Sequence, residues 1–153
     1  MESSFNEVDI IFRIFISIII GGSIGYEREI KNRSAGLRTH VLVCIGACVV
    51  SLIQEELRRK SLELSLLHPD LGGLFSSDLG RYGAQVISGV GFLGAGAIMK
   101  EKKKIIGLTT AATLWVTACI GISIGWGMYF ISIISTFLVI IILATFKKLK
   151  KKI

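Results

Sequence analysis

Apolar and charged stretches alternate along this chain with a spacing that decides its class before any single residue does. The apolar stretches cover about 8–26, 37–54, 82–99 and a last run, 105–146, that holds no Asp, Glu, Lys or Arg in 42 residues. As one helix that run would reach about 63 Å, twice a hydrocarbon core of about 30 Å. It must turn, and Gly125-Trp126-Gly127 is the best place, with Trp126 and Tyr129 suited to an interface. The pattern therefore predicts an all-α, polytopic membrane helix bundle with five transmembrane helices at about 8–26, 37–54, 82–99, 105–125 and 128–146. Four remain possible, because the second stretch is uncharged only over 39–54 and needs Arg38 to snorkel. Asp9 and Arg13, one turn apart, are expected to pair at the start of the first span.

Between the second and third spans lies the longest polar stretch. Its first part, 55–67, mixes charges with leucines and reads as a helical extension or a surface helix. Pro69 and the Gly72-Gly73 pair then break it. The 153 residues leave room for one membrane domain, 1–153, with a lysine-rich tail in place of a C-terminal soluble domain. The first apolar run lacks a basic leader and a small-residue cleavage site, so it reads as a retained span.

Composition alone is indecisive. At 52% apolar the chain barely exceeds soluble proteins, and the clustering carries the argument. Charge adds direction. The net charge is +7, yet the basic residues are dispersed between apolar spans, which argues against nucleic acid. Thirteen of them fall in three segments, 28–38, 100–104 and the tail 147–152. With five spans these segments share one side, so the positive-inside rule places the N-terminus outside and the C-terminus in the cytoplasm.

The chemistry available is sparse. Gly89-Val90-Gly91-Phe92-Leu93-Gly94 matches a dinucleotide fingerprint, but it lies within a span and not at a strand-to-helix turn. Gly89, Gly91, Gly94 and Gly96 are better read as helix-packing positions, with Gly21, Gly25, Gly121 and Gly125, since glycines let helices approach closely in lipid. Cys44, Cys48 and Cys119 lie within apolar stretches, at no spacing that suggests a disulfide framework, and read as small packing residues. His40 and His68 lack a nucleophile or acid partner and read as surface or capping residues, so no catalytic residue, cofactor or metal site is expected. Gln85, Ser88, Thr109, Thr110, Thr113 and Thr117 offer only weak polar ligands. Ionisable groups gather at span ends, which argues against a proton-coupled pump.

Charged candidates for a functional surface are Glu27, Arg28, Glu29 and Arg38, held close by a short linker, with both glutamates placed to accept arginine forks. At the outer end of the third span, Asp78 and Arg81 are spaced to pair on a helix.

Three segments together carry a family resemblance. They are Gly21-x-x-x-Gly25-x-Glu27-Arg28-Glu29 leading to Ala35-Gly36-Leu37-Arg38-Thr39-His40; Asp78-x-x-Arg81 leading to Val86-Ile87-Ser88-Gly89-Val90-Gly91-Phe92-Leu93-Gly94-Ala95-Gly96; and Gly107-Leu108-Thr109-Thr110-Ala111-Ala112-Thr113-Leu114-Trp115. Their order and spacing resemble the MgtC/SapB family of bacterial inner-membrane proteins over nearly the whole chain. The resemblance implies a plasma-membrane bundle of about five helices. The family is named for magnesium transport. Its virulence branch resembles a regulator, linked to growth at low magnesium and to inhibition of the rotary ATP synthase through its membrane subunit. Many members carry a soluble domain after the last span, where this chain has a lysine tail. Thr109 also stands where some virulence members have asparagine.

The expected function is therefore a non-enzymatic membrane protein that modulates magnesium or energy homeostasis by binding other membrane proteins. The alternative is a transporter or channel for Mg²⁺ or another ion. Membrane lipid, a homo-oligomeric partner and the ATP synthase membrane subunit are the expected partners.

Overall fold

The computed structural model describes residues 7–68, 80–101 and 104–149. These residues form five helices and one short hairpin: α1 (Glu7–Ile30), α2 (Leu37–Leu67), α3 (Arg81–Gly96), β1 (Met99–Glu101), β2 (Lys104–Ile106), α4 (Leu108–Gly125) and α5 (Tyr129–Leu149). Three of them, α1, α2 and α4, are long and apolar enough to cross a membrane, and α5 carries a shorter apolar stretch over Tyr129–Thr145. The architecture is an all-α membrane helix bundle.

Its centre is a seam of three helices. One side of α2 receives α1 and another receives α4. Lipid offers no hydrophobic gain for bringing helices together, so close packing has to hold them. Glycine makes that approach possible. A Cβ on Gly21 would lie 2.8 Å from Cys44 Cβ, and one on Gly25 would lie 2.7 Å from Leu37 Cα. On the other helix, a Cβ on Gly121 would lie 2.4 Å from the Cys44 carbonyl oxygen, and one on Gly125 would lie 2.4 Å from Ser51 Cβ. Around these contacts Ile20, Ile24, Cys44, Cys48, Leu52, Ile120 and Ile124 form the core. The cysteines are free. Buried hydroxyls bond within their own helices: Ser17 to the Ile14 carbonyl, Ser51 to that of Ala47, and Thr117 to that of Thr113. This leaves no polar atom of theirs stranded in the apolar interior.

The expected boundaries shift where side chains support more or less helix than hydropathy suggests. Beyond the apolar stretch ending at 54, α2 runs on to Leu67. Ion pairs along its axis support this extension, Arg58 with Glu55 at 2.6 Å and Arg59 with Glu56 at 3.0 Å. The helix stops at His68 (φ −129°, ψ 73°), as it must before Pro69. In the opposite sense, α3 ends at Gly96, short of the expected Met99. Its last turn is glycine-rich, and the Ala97 amide closes it on the carbonyls of Leu93 and Gly94. At 16 residues α3 is about 24 Å long, less than a typical hydrocarbon core.

Between α3 and α4 the expected basic loop is a hairpin, with Met99 opposite Ile106, Lys100 opposite Ile105 and Glu101 opposite Lys104. Gly107 closes it in a left-handed conformation (φ 89°), and a Cβ there would sit 1.9 Å from the Ala97 carbonyl oxygen. The fourth helix consequently begins at Leu108 and not at 105. The turn expected at 125–127 is present: Gly127 is left-handed (φ 73°), its amide bonds to the Ile124 carbonyl, and the Met128 amide bonds to that of Ser123.

Candidate functional site

Each end of the three-helix seam holds an arginine. At the end where α1 begins, Arg13 pairs with Asp9 at 2.6 Å, as the sequence predicts, and its Nη1 donates to the Gly125 carbonyl at 2.7 Å. The guanidinium also lies against Gly127, where a Cβ would sit 3.4 Å from it in ordinary van der Waals contact. Its hydrogen bond to Gly125 ties the start of α1 to the end of α4.

The other end is more polar. The last turns of α1 carry Glu27, Arg28 and Glu29, Lys31 follows in the turn after it, and their partners differ. Arg28 is 4% exposed, and its Nη2 donates to Thr110 Oγ1 on α4 at 3.0 Å. Thr113 Oγ1 in turn donates to the Thr110 carbonyl at 2.8 Å, so a line of threonines leads from the guanidinium into the bundle. Glu27 pairs with Lys31 one turn on, and Lys31 Nζ also donates to the Leu143 carbonyl of α5 at 2.8 Å. Glu29 Oε2 accepts the Leu37 amide at 2.7 Å. It therefore supplies the cap that Gly36, at the N-cap of α2, cannot supply itself. A Cβ on Gly36 would lie 2.6 Å from that carboxylate oxygen, so the glycine of the Ala35-Gly36-Leu37-Arg38 run makes room for the glutamate of the preceding helix.

This arrangement redistributes the expected network. Neither glutamate accepts the fork of Arg28 or Arg38. Arg28 is drawn into the bundle by Thr110, Glu29 is used as a cap, and Arg38 stands exposed on the first turn of α2. Lys31 takes the donor role given to an arginine, and Thr110 the acceptor role given to a glutamate. The Glu27–Lys31 spacing was visible in the sequence, but the partner of Arg28 lies 82 positions away and no local spacing announces it. His40, expected at the surface or in a cap, is fully buried. Its Nδ1–H donates to the Gly36 carbonyl at 2.9 Å. The residue sits beside the glycine face of α1, where a Cβ on Gly21 would lie 2.9 Å from the His40 carbonyl oxygen. Arg81 is exposed at the start of α3, and Asp78 lies outside the described residues.

Three buried polar atoms at this end have no hydrogen-bond partner among the described residues: Glu27 Oε2, Arg28 Nε and His40 Nε2. Unmade hydrogen bonds of this kind cost about 1–3 kcal/mol each, so each of these atoms calls for a water, an ion or a partner group. Beside them a cleft of about 560 Å³ opens between α1, the hairpin and the ends of α4 and α5. Among the described residues no three His, Cys, Asp or Glu side chains gather in a metal-binding group. The positively charged groups at this end suit an acidic partner.

The glycines assigned to packing divide. Gly21, Gly25, Gly121 and Gly125 meet neighbouring helices at less than contact distance for a side chain. Gly94 faces Ala111, whose Cβ would be 3.5 Å away, while Gly89, Gly91 and Gly96 face open space.

The family model described as "MgtC family" matches residues 14–152. Curated relatives agree. The chain is 40% identical over 141 residues to a protein of Escherichia coli strain K12 named "Putative magnesium transporter YhiD", covering 92% of this chain and 62% of that one. It is 38% identical over 133 residues to "Protein MgtC" of Brucella abortus, covering 87% and 49%, and 39% identical over 130 residues to "Protein MgtC" of Salmonella typhimurium, covering 85% and 49%. The chain thus spans half to three fifths of the length of these relatives. No solved structure matches it. The match runs from the first helix through the last, across both ends of the glycine seam, and this bacterial membrane protein belongs to the MgtC family.

Proposed function

We propose that the chain is the membrane module of a regulator in the bacterial plasma membrane. In this reading it crosses the bilayer five times with its N-terminus outside, and modulates magnesium or energy homeostasis by contacting other membrane proteins, without catalysing a reaction. One observation carries the preference over ion conduction: the seam of α1, α2 and α4 ends at both extremities in a largely buried guanidinium, Arg13 at one and Arg28 at the other. Magnesium asks for oxygen ligands in octahedral array; Arg13 and its Asp9 partner fill one end, and at the other the charge of Arg28, ion-paired to no described carboxylate, opposes its entry. Family membership supports the link to magnesium, since the name of the Escherichia coli relative refers to it. The three basic segments support the orientation.

Contact with a partner is assigned to the charged end, through the exposed Arg38 and its neighbours. The membrane subunit of the rotary ATP synthase is one partner to test. In a strain lacking its own protein, the wild-type chain should support growth at low magnesium. Arg38→Gln should lose that support while retaining membrane insertion and thermal stability, because the residue is exposed and holds no helix in place. Undiminished growth with Arg38→Gln would remove this surface from the account.

A further inference from the structure

The cleft at the charged end has a composition that the regulatory reading does not use. Arg28, Lys31 and Arg33 line it together with Thr109, Thr110 and the first turn of α4. That turn follows Gly107 and has no side-chain cap, so the amides of Leu108, Thr109 and Thr110 keep the donor capacity of a helix N-terminus. Arg28 gives an independent sign. It is buried, its Nε finds no hydrogen-bond partner among the described residues, and no carboxylate is ion-paired to it there. Glu27 pairs with Lys31 through one oxygen and makes no hydrogen bond to Arg28, and Glu29 is taken by the α2 cap. A buried cation in that position asks for an anion.

The geometry points to a binding site for a phosphate group in this cleft. Phosphate matches donors arriving from several directions. A tetrahedral anion offers oxygens to the helix amides and to a planar guanidinium at once. The remaining walls are apolar, with Ile105, Leu108 and Ile142 all more than half exposed. They would accommodate the ester-linked chain of a phospholipid, whereas free phosphate would use the polar half alone. The site does not depend on the regulatory reading and would stand if ion flux were found.

The test uses the purified full chain in neutral detergent at constant ionic strength, with thermal unfolding followed by tryptophan fluorescence. One arm titrates inorganic phosphate. The other titrates short-chain phosphatidylglycerol, with phosphatidylcholine as control. A saturable rise in melting temperature is expected in at least one arm. Phosphate alone would mark a soluble anion, and phosphatidylglycerol without phosphatidylcholine would mark a lipid headgroup. Arg33→Gln, at an exposed position that leaves the fold intact, should shift the titration midpoint by roughly tenfold, the weight of a charge-assisted contact. Lys104→Gln, on the hairpin but outside the cleft lining, should leave the midpoint in place. No saturable rise in either arm would overturn the site. So would an unchanged midpoint in Arg33→Gln, or an equal shift in Arg33→Gln and Lys104→Gln, which would reduce the effect to general charge attraction.

Discussion

Two sets of glycines that look alike in the sequence do different things in the bundle. On α1 and α4, Gly21, Gly25, Gly121 and Gly125 are spaced four apart, and each faces the backbone or Cβ of α2 at a distance no side chain tolerates. On α3, Gly89, Gly91 and Gly96 are also closely set, at intervals of two and five, but a Cβ on any of them would meet nothing within 4 Å. Spacing alone therefore reports only that a helix could be approached closely; what decides the matter is which face another helix occupies. The first set lies on the faces turned to α2. The second lies where a Cβ would meet no described atom within 4 Å, and Phe92 beside it is 82% exposed.

Substitution separates the two sets most sharply. Gly121→Ala places a methyl group 2.4 Å from a backbone carbonyl that belongs to a packed helix. It should destabilise the bundle by roughly 3 kcal/mol, the upper part of the range for overpacking, read as a fall in thermal stability in detergent. Gly91→Ala should do the reverse by a smaller amount. It meets no atom and improves helix propensity, so stability should hold or rise by about 0.5–1 kcal/mol. Equal losses in the two variants would mean that α3 is packed against something in the same way as α1 and α4, as a second copy of the chain would do.

A smaller effect sharpens the difference between the two ends of the seam. Thr110→Val keeps the shape of the side chain and removes the acceptor of Arg28 Nη2. Leaving the guanidinium with one contact fewer should cost about 1–2 kcal/mol, visible as a lower melting temperature. The same Thr→Val exchange at Thr109, which is exposed and donates to no described group, should leave the melting temperature almost unchanged. Equal effects at the two positions would place the anchoring of Arg28 elsewhere.

Much of the fold was legible because lipid simplifies the rules. A bilayer forces long uncharged runs, so the positions of α1, α4 and α5 and the turn at Gly127 follow from hydropathy and glycine. Local charge spacing identified the Asp9–Arg13 pair. Hydropathy alone ends α2 near 54, but the mix of charges and leucines over 55–67 reads as a helical extension or a surface helix, and the extension is what forms, stopping before Pro69. The hairpin was invisible in the sequence. Its strands are three residues each, too short for alternation to register, and Gly107 reads as an ordinary glycine until its left-handed backbone is seen. At the charged end the sequence identified the right segment and the wrong partners. Arg28 and Thr110 are brought together only by the packing of α1 on α4, and His40 is buried beside the glycine face of α1, which its neighbours in sequence do not reveal.

The most direct test of the central reading is magnesium flux. The purified chain is reconstituted in proteoliposomes loaded with a magnesium-sensitive dye, with a magnesium gradient and an imposed membrane potential of either sign. If the seam is a packed contact closed at both ends by Arg13 and Arg28, magnesium should enter no faster than into empty liposomes under any of these conditions, while the same preparation retains its folded helix content. Flux above that background, saturable in magnesium and raised further by Arg28→Gln, would show that the seam is a pathway and contradict the account.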